Sequence, residues 1–336
     1  MNFEEFMNYI KEHLLDKYAL VKDNAVIDKE KRKKLPDVGE NSQVVIDKVY
    51  KNNGLILNSL SIFFDGTDAS PNIYLEPFFN SYMAGRSMDF ILMDIIHCYI
   101  ENFNDLVNEG INLSDYDKIK DNIVIRLINY EKNKELLDNC PHTRYLDLAV
   151  TYRYIVTDYQ EGMASILITN KEFIPWGIEL TKLHENAVEC IRMRYPSVYM
   201  PITELVSGYF DTKMEELPEE MAEEIKSIDL ENAVVKLYVL TNTQKAFGAG
   251  CILYSNLLKS ISDEWGSNMY ILPSSVHETM LVPDAEDVEP EFLKGLLEGA
   301  NKASVGYTDL LSDNIYYYNR ESDKTKIYEV EEETKA

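Results

Sequence analysis

The sequence predicts an α+β fold with mixed, mostly antiparallel sheets, packed helices and two subdomains. Runs with apolar residues at helical spacing are mixed with runs rich in β-branched and aromatic residues. Hairpin turns, rather than regular helical crossovers, join most of the strand-like runs, which favours antiparallel pairing. The chain of 336 residues is also long for one ordinary core, so two subdomains are expected.

The N-terminal elements are a helix, a linker and a hairpin. Apolar side chains recur at helical spacing, which predicts an amphipathic helix over residues 1–20. The basic run Lys29–Lys34 indicates a solvated linker over residues 21–41. Asn53-Gly54 separates two β-rich runs, and both residues tolerate positive φ, so this pair predicts a hairpin turn.

The larger α+β domain is expected to span residues 42–212. Within it, HTRYLDLAVTYRYIV alternates apolar and polar side chains, which predicts one long strand with a buried face and a wet face. GIELTKLHENAVECIRMRY carries an apolar stripe at helical spacing and predicts a helix.

An acidic segment at residues 213–229 is predicted to connect this domain to a smaller α+β domain at residues 230–332, with a tail at 333–336. In the smaller domain the pattern predicts strands, helices and a last hairpin, in this order: AVVKLYVL (strand), CILYSNLLKSISDEWG (helix), MYIL and VHETMLV (strands), EPEFLKGLLEGANKA (helix), and NIYYYNR with TKIYEV (hairpin).

The composition excludes several classes of function. A net charge of −25 repels nucleic-acid phosphates and anionic lipid, so neither nucleic acid nor membrane is expected as a partner, whereas a protein with a basic surface is. The N-terminus lacks the basic start and apolar run of a signal peptide. The most apolar helix-like run, FILMDIIHCYI, carries Asp94 and His97 and is too short to span a bilayer. We expect a cytoplasmic protein. The four cysteines lie tens of residues apart, so no metal and no cofactor is predicted.

The stretch YILPSSVHETMLVP holds the catalytic candidates His277, Ser274 and Ser275. If residues 276–282 form a strand, the side chains of His277 and Glu278 point to opposite faces and cannot act on one reacting atom. The alternative is a helix start, in which Ser275 and Glu278 have the spacing of a capping box. Pro283 leaves little room for that helix, so the strand is favoured.

A second candidate is the loop before CILY, where Asn242, Lys245, Gly248 and Gly250 form a possible binding loop. A strand, a loop, Gly-x-Gly and a helical run follow in the order of a phosphate-binding turn. The third glycine of the dinucleotide motif is absent, and the small residues equally suit close packing. The signatures of zinc proteases, serine-hydrolase elbows, phosphate loops and EF-hands are absent from the sequence.

The chain resembles a family of uncharacterised bacterial proteins that is common in gut anaerobes and known as a domain of unknown function. The resemblance runs from about Val44 to Arg320 and rests on six ordered blocks: VYKNNGLIL, PNIYLEPFFNSYMAGR, IPWGIELTKLHENAVE, YVLTNTQKAFGAGCILY, YILPSSVHETMLVP and LLSDNIYYYNR. WGIELTKLHENA and GAGCILY with YILPSSVHE also resemble a second uncharacterised bacterial family. Neither resemblance implies an activity.

Three functions remain open from the sequence. The leading hypothesis is a non-enzymatic binding or regulatory module for a protein or small-molecule partner, because no catalytic constellation is assembled and the 23 tyrosines offer contact area. The second is a hydrolase centred on His277. The third is an acidic mimic of nucleic acid that inhibits a nucleic-acid-binding enzyme.

Overall fold

The computed structural model describes residues 1–23, 35–65, 70–109, 112–159, 162–204, 236–303 and 305–329. The chain divides into two compact units, Met1–Asn112 and Leu113–Ala336. This division differs from the predicted boundary at residues 213–229, which lies outside the described residues. Strands on either side of that segment pair with each other in one sheet. The basic run Lys29–Lys34 and the tail also lie outside the described residues.

The first unit packs helices against a small antiparallel sheet with the strand order β1-β2-β3. Phe6, Ile10, Leu14 and Tyr18 recur every four residues on the first helix and are fully buried, as the sequence pattern predicts. The helix continues three residues beyond the predicted end at residue 20. The elements of this unit are α1 (Phe3–Asp23), β1 (Gln43–Tyr50), β2 (Ile56–Phe63), β3 (Ile73–Tyr74), α2 (Glu76–Met83) and α3 (Met88–Glu109).

The predicted hairpin at Asn53-Gly54 is confirmed. Strands β1 and β2 pair antiparallel up to Tyr50 and Ile56. Asn53 and Gly54 both have positive φ, at 61° and 73°. A left-handed conformation is tolerated best by glycine and asparagine, so these residues reverse the chain with little strain.

The second unit contains two antiparallel sheets. The first joins β4, β5, β6 and β7, and the second has the order β13-β12-β10-β11-β9-β8. The elements are β4 (Ile123–Asn129), β5 (His142–Tyr145), β6 (Leu148–Tyr159), β7 (Gly162–Leu167), β8 (Ser197–Pro201), β9 (Tyr238–Asn242), β10 (Met269–Leu272), β11 (Thr279–Pro283), β12 (Tyr316–Asn319) and β13 (Lys324–Ile327), with helices α4 (Tyr116–Ile119), α5 (Lys134–Leu137), α6 (Asn170–Trp176), α7 (Leu180–Arg194), α8 (Leu257–Trp265) and α9 (Pro290–Ala303).

The six-stranded sheet is covered on both faces. On one face, Leu293 and Leu297 of α9 cluster with Tyr270, Leu272 and Val282. On the other face, alternate residues of the same strands, among them Leu240, Ile271 and Leu281, join the core shared with the four-stranded sheet and α7. A strand buried on both faces loses the polar alternation of an exposed sheet.

The single long strand predicted over residues 142–156 was wrong. The chain forms two strands, β5 and β6, which pair with each other through Tyr145 and Leu148. Leu146 reverses the chain with a φ of 55°. The predicted wet face was also wrong at the start of β6, because Leu148 to Tyr152 are all buried. The apolar alternation continues through this turn and therefore did not indicate it. The first residue of the turn is Leu146, whose positive φ is unfavourable for leucine.

Two predicted elements in the C-terminal region differ from the structure. Strand β11 begins at Thr279 rather than Val276, because Ser275 forms an isolated bridge with Leu310 and the chain bends after it. The predicted helix over residues 251–266 is a 3-10 helix at Gly248–Leu253 followed by α8. The strand at residues 269–272, helix α9 and the final hairpin of β12 with β13 are confirmed.

His184 makes the stability of the second unit depend on pH. Its Nδ1 lies 3.1 Å from the Tyr152 hydroxyl, which lies 2.7 Å from Thr143 Oγ1. Burial lowers the pKa of His184 from its ordinary value of 6.5. The unfolded chain therefore binds a proton more readily than the folded chain, so stability is full above about pH 6.5 and falls as pH drops.

We expect the free energy of unfolding to fall between pH 7 and pH 5.5 by more in the wild type than in His184→Gln, because glutamine can accept the Tyr152 hydrogen bond but does not titrate. Urea unfolding at the two pH values measures both changes. Equal losses in the two proteins would contradict this role of His184.

Candidate functional site

A cavity of about 640 Å³ lies on one face of the six-stranded sheet, over β8, β9 and β11. Helix α9 contributes Ala300 to its wall, and Val305 follows that helix. The lining is mainly apolar with a few polar groups, which is the usual composition of a small-molecule site. Its residues are Val198, Met200, Ile202, Val239, Thr241, Asn242, Thr243, Lys245, Ser274, Glu278, Met280, Ala300 and Val305.

The strand register gathers the polar lining residues at one end of the cavity. Asn242, the last residue of β9, pairs with Ser197 at the start of β8. On the neighbouring strand, Thr279 of β11 pairs with Leu240, and Leu272 at the end of β10 pairs with Met280. Lys245, Ser274 and Glu278, which follow or precede these strand ends, are therefore placed at the same edge of the sheet.

Apolar residues line the cavity away from that edge. Met200 pairs with Val239 in the middle of β8 and β9, and Ile202 continues beyond β8. Met280 lies on β11, opposite Val239. The cavity is therefore amphipathic, with a polar end and an apolar body.

Three polar side chains at the cavity's edge, those of Lys245, Ser274 and Glu278, make no hydrogen bond or ion pair within the described part of the chain. Within the described part of the chain, Lys245 and Glu278 make no ion pair. The Ser274 backbone is bonded to Leu272 and Leu311, while its hydroxyl has no hydrogen-bond partner among the described residues. A cation, an anion and a hydroxyl thus remain free to contact a ligand in one cavity.

The loop that carries Lys245 is held in a strained conformation. Lys245 and Phe247 both have a φ of 55°, a region that non-glycine residues adopt at a cost in free energy. The Asn242 side chain holds the loop: its amide donates to the Ala246 carbonyl at 2.8 Å, and its oxygen accepts from the backbone N–H groups of Gln244 and Ala246. Asn242 is only 1% exposed, so it organises the loop that presents Lys245.

Gly248 and Gly250 pack closely inside the protein. A Cβ at Gly248 would lie 2.2 Å from Thr241 Oγ1 and 2.3 Å from the His277 carbonyl oxygen. A Cβ at Gly250 would lie 3.2 Å from the Ile125 side chain. The N–H groups of Ala249 and Gly250 donate to the carbonyls of Val276 and Phe247. These backbone donors are used internally, unlike those of a phosphate-binding turn.

His277 lies away from the cavity that Glu278 lines. Its ring stacks on Phe247, with centroids 6.4 Å apart, and its Nε2 lies 3.6 Å from an Asp309 carboxylate oxygen. Its backbone carbonyl accepts a hydrogen bond from Thr241 Oγ1. The His277 imidazole and the Glu278 carboxylate therefore point in different directions. The backbone at His277 forms a bend rather than the predicted strand.

The two candidate serines occupy different environments. Ser274 lines the cavity, whereas Ser275 is buried and its hydroxyl accepts the backbone N–H of His277 at 3.0 Å. His277 Nδ1 is buried without a hydrogen-bond partner among the described residues. Neither serine is hydrogen-bonded to the imidazole in the described structure, so the arrangement of a base and an activated nucleophile is not formed.

A buried arginine shares the surroundings of His277. The Arg126 guanidinium lies 5.2 Å from the Phe247 ring centre and 3.8 Å from an Asp309 oxygen. Burial lowers the pKa of Arg126, and the Asp309 charge opposes that change. The Arg126, Phe247, His277 and Asp309 side chains form one packed cluster, which fixes the segment leading into β11.

The described residues contain no group of three or more His, Cys, Asp or Glu side chains that could hold a metal ion. Burial raises the pKa of Cys140 and Cys190 to about 11 and that of Cys251 to about 12. A thiol is nucleophilic only as the thiolate, so these three groups are poorly reactive near neutral pH. Within the described ranges, no helix is long and apolar enough to cross a bilayer.

Of the residues that the sequence singled out, Asn242, Lys245 and Ser274 line the cavity, whereas His277 does not. Sequence reasoning missed the apolar wall, including Val198, Met200 and Ala300. Those residues come from β8 and α9, and local patterns do not reveal that β8 pairs with β9 across a long intervening segment.

Comparison with known proteins identifies a family but no activity. The chain matches no curated protein and no solved structure. A family model described as "Family of unknown function (DUF5688)" matches residues 3–320. The match includes the N-terminal helix and therefore begins well before the resemblance that starts at Val44. Because this model covers nearly the whole sequence, the chain belongs to DUF5688, a family of unknown function.

Proposed function

We propose that this protein is a binding module for a small amphipathic molecule. The observation that carries the proposal is the cavity over β8, β9 and β11, whose volume of about 640 Å³ suits a small-molecule ligand. Its apolar body fits an aliphatic chain, and burial of that chain provides the main binding energy.

The polar end of the cavity favours a ligand with a particular head group. Lys245 supplies a cation, which attracts an anionic group such as a carboxylate. Glu278 supplies an acceptor for an amine or hydroxyl, and Ser274 can donate or accept. The best match is a head that carries an anion and a hydrogen-bond donor together, as the α-amino acid group does.

Backbone strain supports the same assignment. Lys245 sits in a left-handed conformation that the Asn242 side chain maintains. Strained positions cluster at ligand sites, where the surrounding structure holds a side chain ready for its contact. Because the backbone at Lys245 is already fixed, it loses less freedom when a ligand binds, so more of the contact energy appears as affinity.

Calorimetric titration with three probes of equal chain length tests the proposal. The probes are 2-aminodecanoate, which carries both head groups, decanoate, which carries only the anion, and decylamine, which carries only the cation. We expect 2-aminodecanoate to bind most tightly. Lys245→Gln is expected to weaken the binding of 2-aminodecanoate and decanoate by about tenfold without weakening that of decylamine. Glu278→Gln is expected to weaken the binding of 2-aminodecanoate and decylamine without weakening that of decanoate.

Two further variants control the experiment. Ala300→Phe fills the apolar wall and should abolish binding of all three probes. Lys294→Gln removes a charge from the exposed surface of the same helix, away from the cavity, and should leave every affinity unchanged. The proposal fails if no probe binds, or if Lys294→Gln weakens decanoate as much as Lys245→Gln does.

The enzyme hypothesis requires a different arrangement from the one described. A hydrolase centred on His277 needs the imidazole within hydrogen-bond reach of a nucleophile, whereas the imidazole faces Phe247 and Asp309. The acidic-mimic hypothesis rests on net charge alone. The cavity favours neither of these alternatives over small-molecule binding.

A further inference from the structure

A second cavity, of about 420 Å³, lies at the other face of the same sheet and belongs to none of the functions above. Tyr238, on its wall, precedes Val239, which lines the first cavity, and successive side chains of a strand point to opposite faces. The second cavity is lined by Lys236, Tyr238, Trp265, Ser267, Pro283, Asp284, Ala285, Asp287 and Val288.

Aromatic rings form one wall of this second cavity. The Tyr238 and Trp265 rings are 4.7 Å apart between centroids and tilted by 38°. Tyr199 packs behind them, with ring centres 6.2 Å from Tyr238 and 6.4 Å from Trp265. The negative faces of aromatic rings attract cations, and tryptophan attracts them best.

Two carboxylates, those of Asp284 and Asp287, also line this cavity. Asp284 is held in place by the Tyr317 hydroxyl, which donates to it at 2.6 Å. Asp287 makes no ion pair and no hydrogen bond through its side chain in the described part of the chain. Behind the rings, the Tyr199 hydroxyl donates to the Glu264 carboxylate.

Two other lining residues contribute a hydroxyl group and a positive charge. Ser267 Oγ is buried and has no hydrogen-bond partner among the described residues. Lys236 contributes the single positive charge among the lining residues. It is exposed at the edge of the described segment, and a bound cation would experience repulsion from it.

We propose that this second cavity, between the Tyr238–Trp265 ring pair and the Asp284–Asp287 carboxylates, binds an organic cation with an alkylammonium group. The rings would contact the alkyl groups around the nitrogen, and the carboxylates would balance its charge. Aromatic rings and carboxylates together favour such a cation over a neutral molecule of the same shape. The site lies on the opposite face from the first cavity, so its test is independent of the proposed function.

Choline and its neutral analogue 3,3-dimethylbutan-1-ol are the probes, because the two share a shape and differ in charge. The chain has two tryptophans, so a ¹H–¹⁵N spectrum gives two indole signals, from Trp176 and Trp265. We expect choline to shift the Trp265 signal saturably and to leave the Trp176 signal unchanged. The neutral analogue should bind at least about fivefold more weakly.

Matched variants identify the contributing charges. Asp287→Asn should weaken choline binding about threefold, as expected for an exposed charge pair at low salt. Glu286→Gln removes the neighbouring exposed carboxylate, which does not line the cavity, and should change nothing. Lys236→Gln should strengthen binding about twofold because it removes a like charge.

Trp265→Leu supplies the aromatic control. Calorimetric titration measures its choline binding, because this variant lacks the Trp265 signal, and the Trp176 signal checks its folding. Loss of choline binding with an unchanged Trp176 signal supports the site. The proposal is overturned if the two probes bind equally, if choline leaves the Trp265 signal unshifted, or if Glu286→Gln weakens binding as much as Asp287→Asn does.

Discussion

Replacing Asp147 with alanine is expected to lower the free energy of unfolding of the second unit by about 3–5 kcal/mol. The Asp147 carboxylate lies in the β5–β6 turn and joins it to a segment distant in sequence. It accepts hydrogen bonds from Ser312 Oγ at 2.6 Å, from the Asn314 amide at 2.9 Å and from the Tyr316 hydroxyl. Tyr316 is fully buried, so its hydroxyl would lose a charged acceptor inside the protein.

A double-mutant cycle with Tyr316→Phe separates this interaction from general damage to the turn. Burial and the nearby Asp147 charge raise the pKa of Tyr316 far above its ordinary value, so the hydroxyl stays protonated and donates. The losses in free energy of unfolding of the two single variants should add up to at least about 1 kcal/mol more than the loss of the double variant, because both substitutions remove the same hydrogen bond. Asp138→Ala, which removes an exposed carboxylate of the same unit, should change stability by less than about 0.5 kcal/mol. Strict additivity would contradict the assigned contact.

Gly248→Ala is expected to lower the free energy of unfolding by about 3 kcal/mol or more. The added Cβ would lie 2.2 Å from Thr241 Oγ1 and 2.3 Å from the His277 carbonyl oxygen, and 3.0 Å from the Asn242 nitrogen. Two of these are backbone atoms, which cannot rotate away as a flexible side chain would. The same change would break the bond of 2.8 Å between Thr241 Oγ1 and the His277 carbonyl.

Gly295→Ala is the matched control for this prediction. Gly295 lies in helix α9, and a Cβ added there would have no other described residue within 4 Å, apart from its chain neighbours and its own helix backbone. Alanine is favoured over glycine inside a helix by about 1 kcal/mol, so this variant should gain stability. Urea unfolding measures the change in the free energy of unfolding, which should be a loss for Gly248→Ala and a gain for Gly295→Ala. A Gly248→Ala protein as stable as the wild type would show that the approach of β9 and the His277 segment is not close-packed.

Local patterns predicted much of the fold because they report on burial within one element. The buried stripe from Phe6 to Tyr18 follows from helical spacing. The turn at Asn53-Gly54 follows from the tolerance of its residues for positive φ. By contrast, Leu146 turns with a positive φ that its residue type disfavours, so only the surrounding contacts, such as those of Asp147, explain it.

The candidate site was only partly predictable for a related reason. Strand alternation indicated that His277 and Glu278 would face apart, and the structure places Glu278 in the cavity and His277 against Phe247. The sequence could not show which of the two faces held a cavity. That depends on the pairing of β8 with β9 and on where α9 stops covering the sheet, and both are long-range contacts.

The central claim, that an amphipathic ligand occupies the cavity over β8, β9 and β11, is tested most directly by methionine-methyl NMR with 2-aminodecanoate. Met200 and Met280 line the cavity, while Met193 is 67% exposed and lies elsewhere. We expect the Met200 and Met280 signals to shift saturably, the Met193 signal to stay unchanged, and Ala300→Phe to abolish the shifts. Saturable binding that leaves the Met200 and Met280 signals unshifted would contradict it.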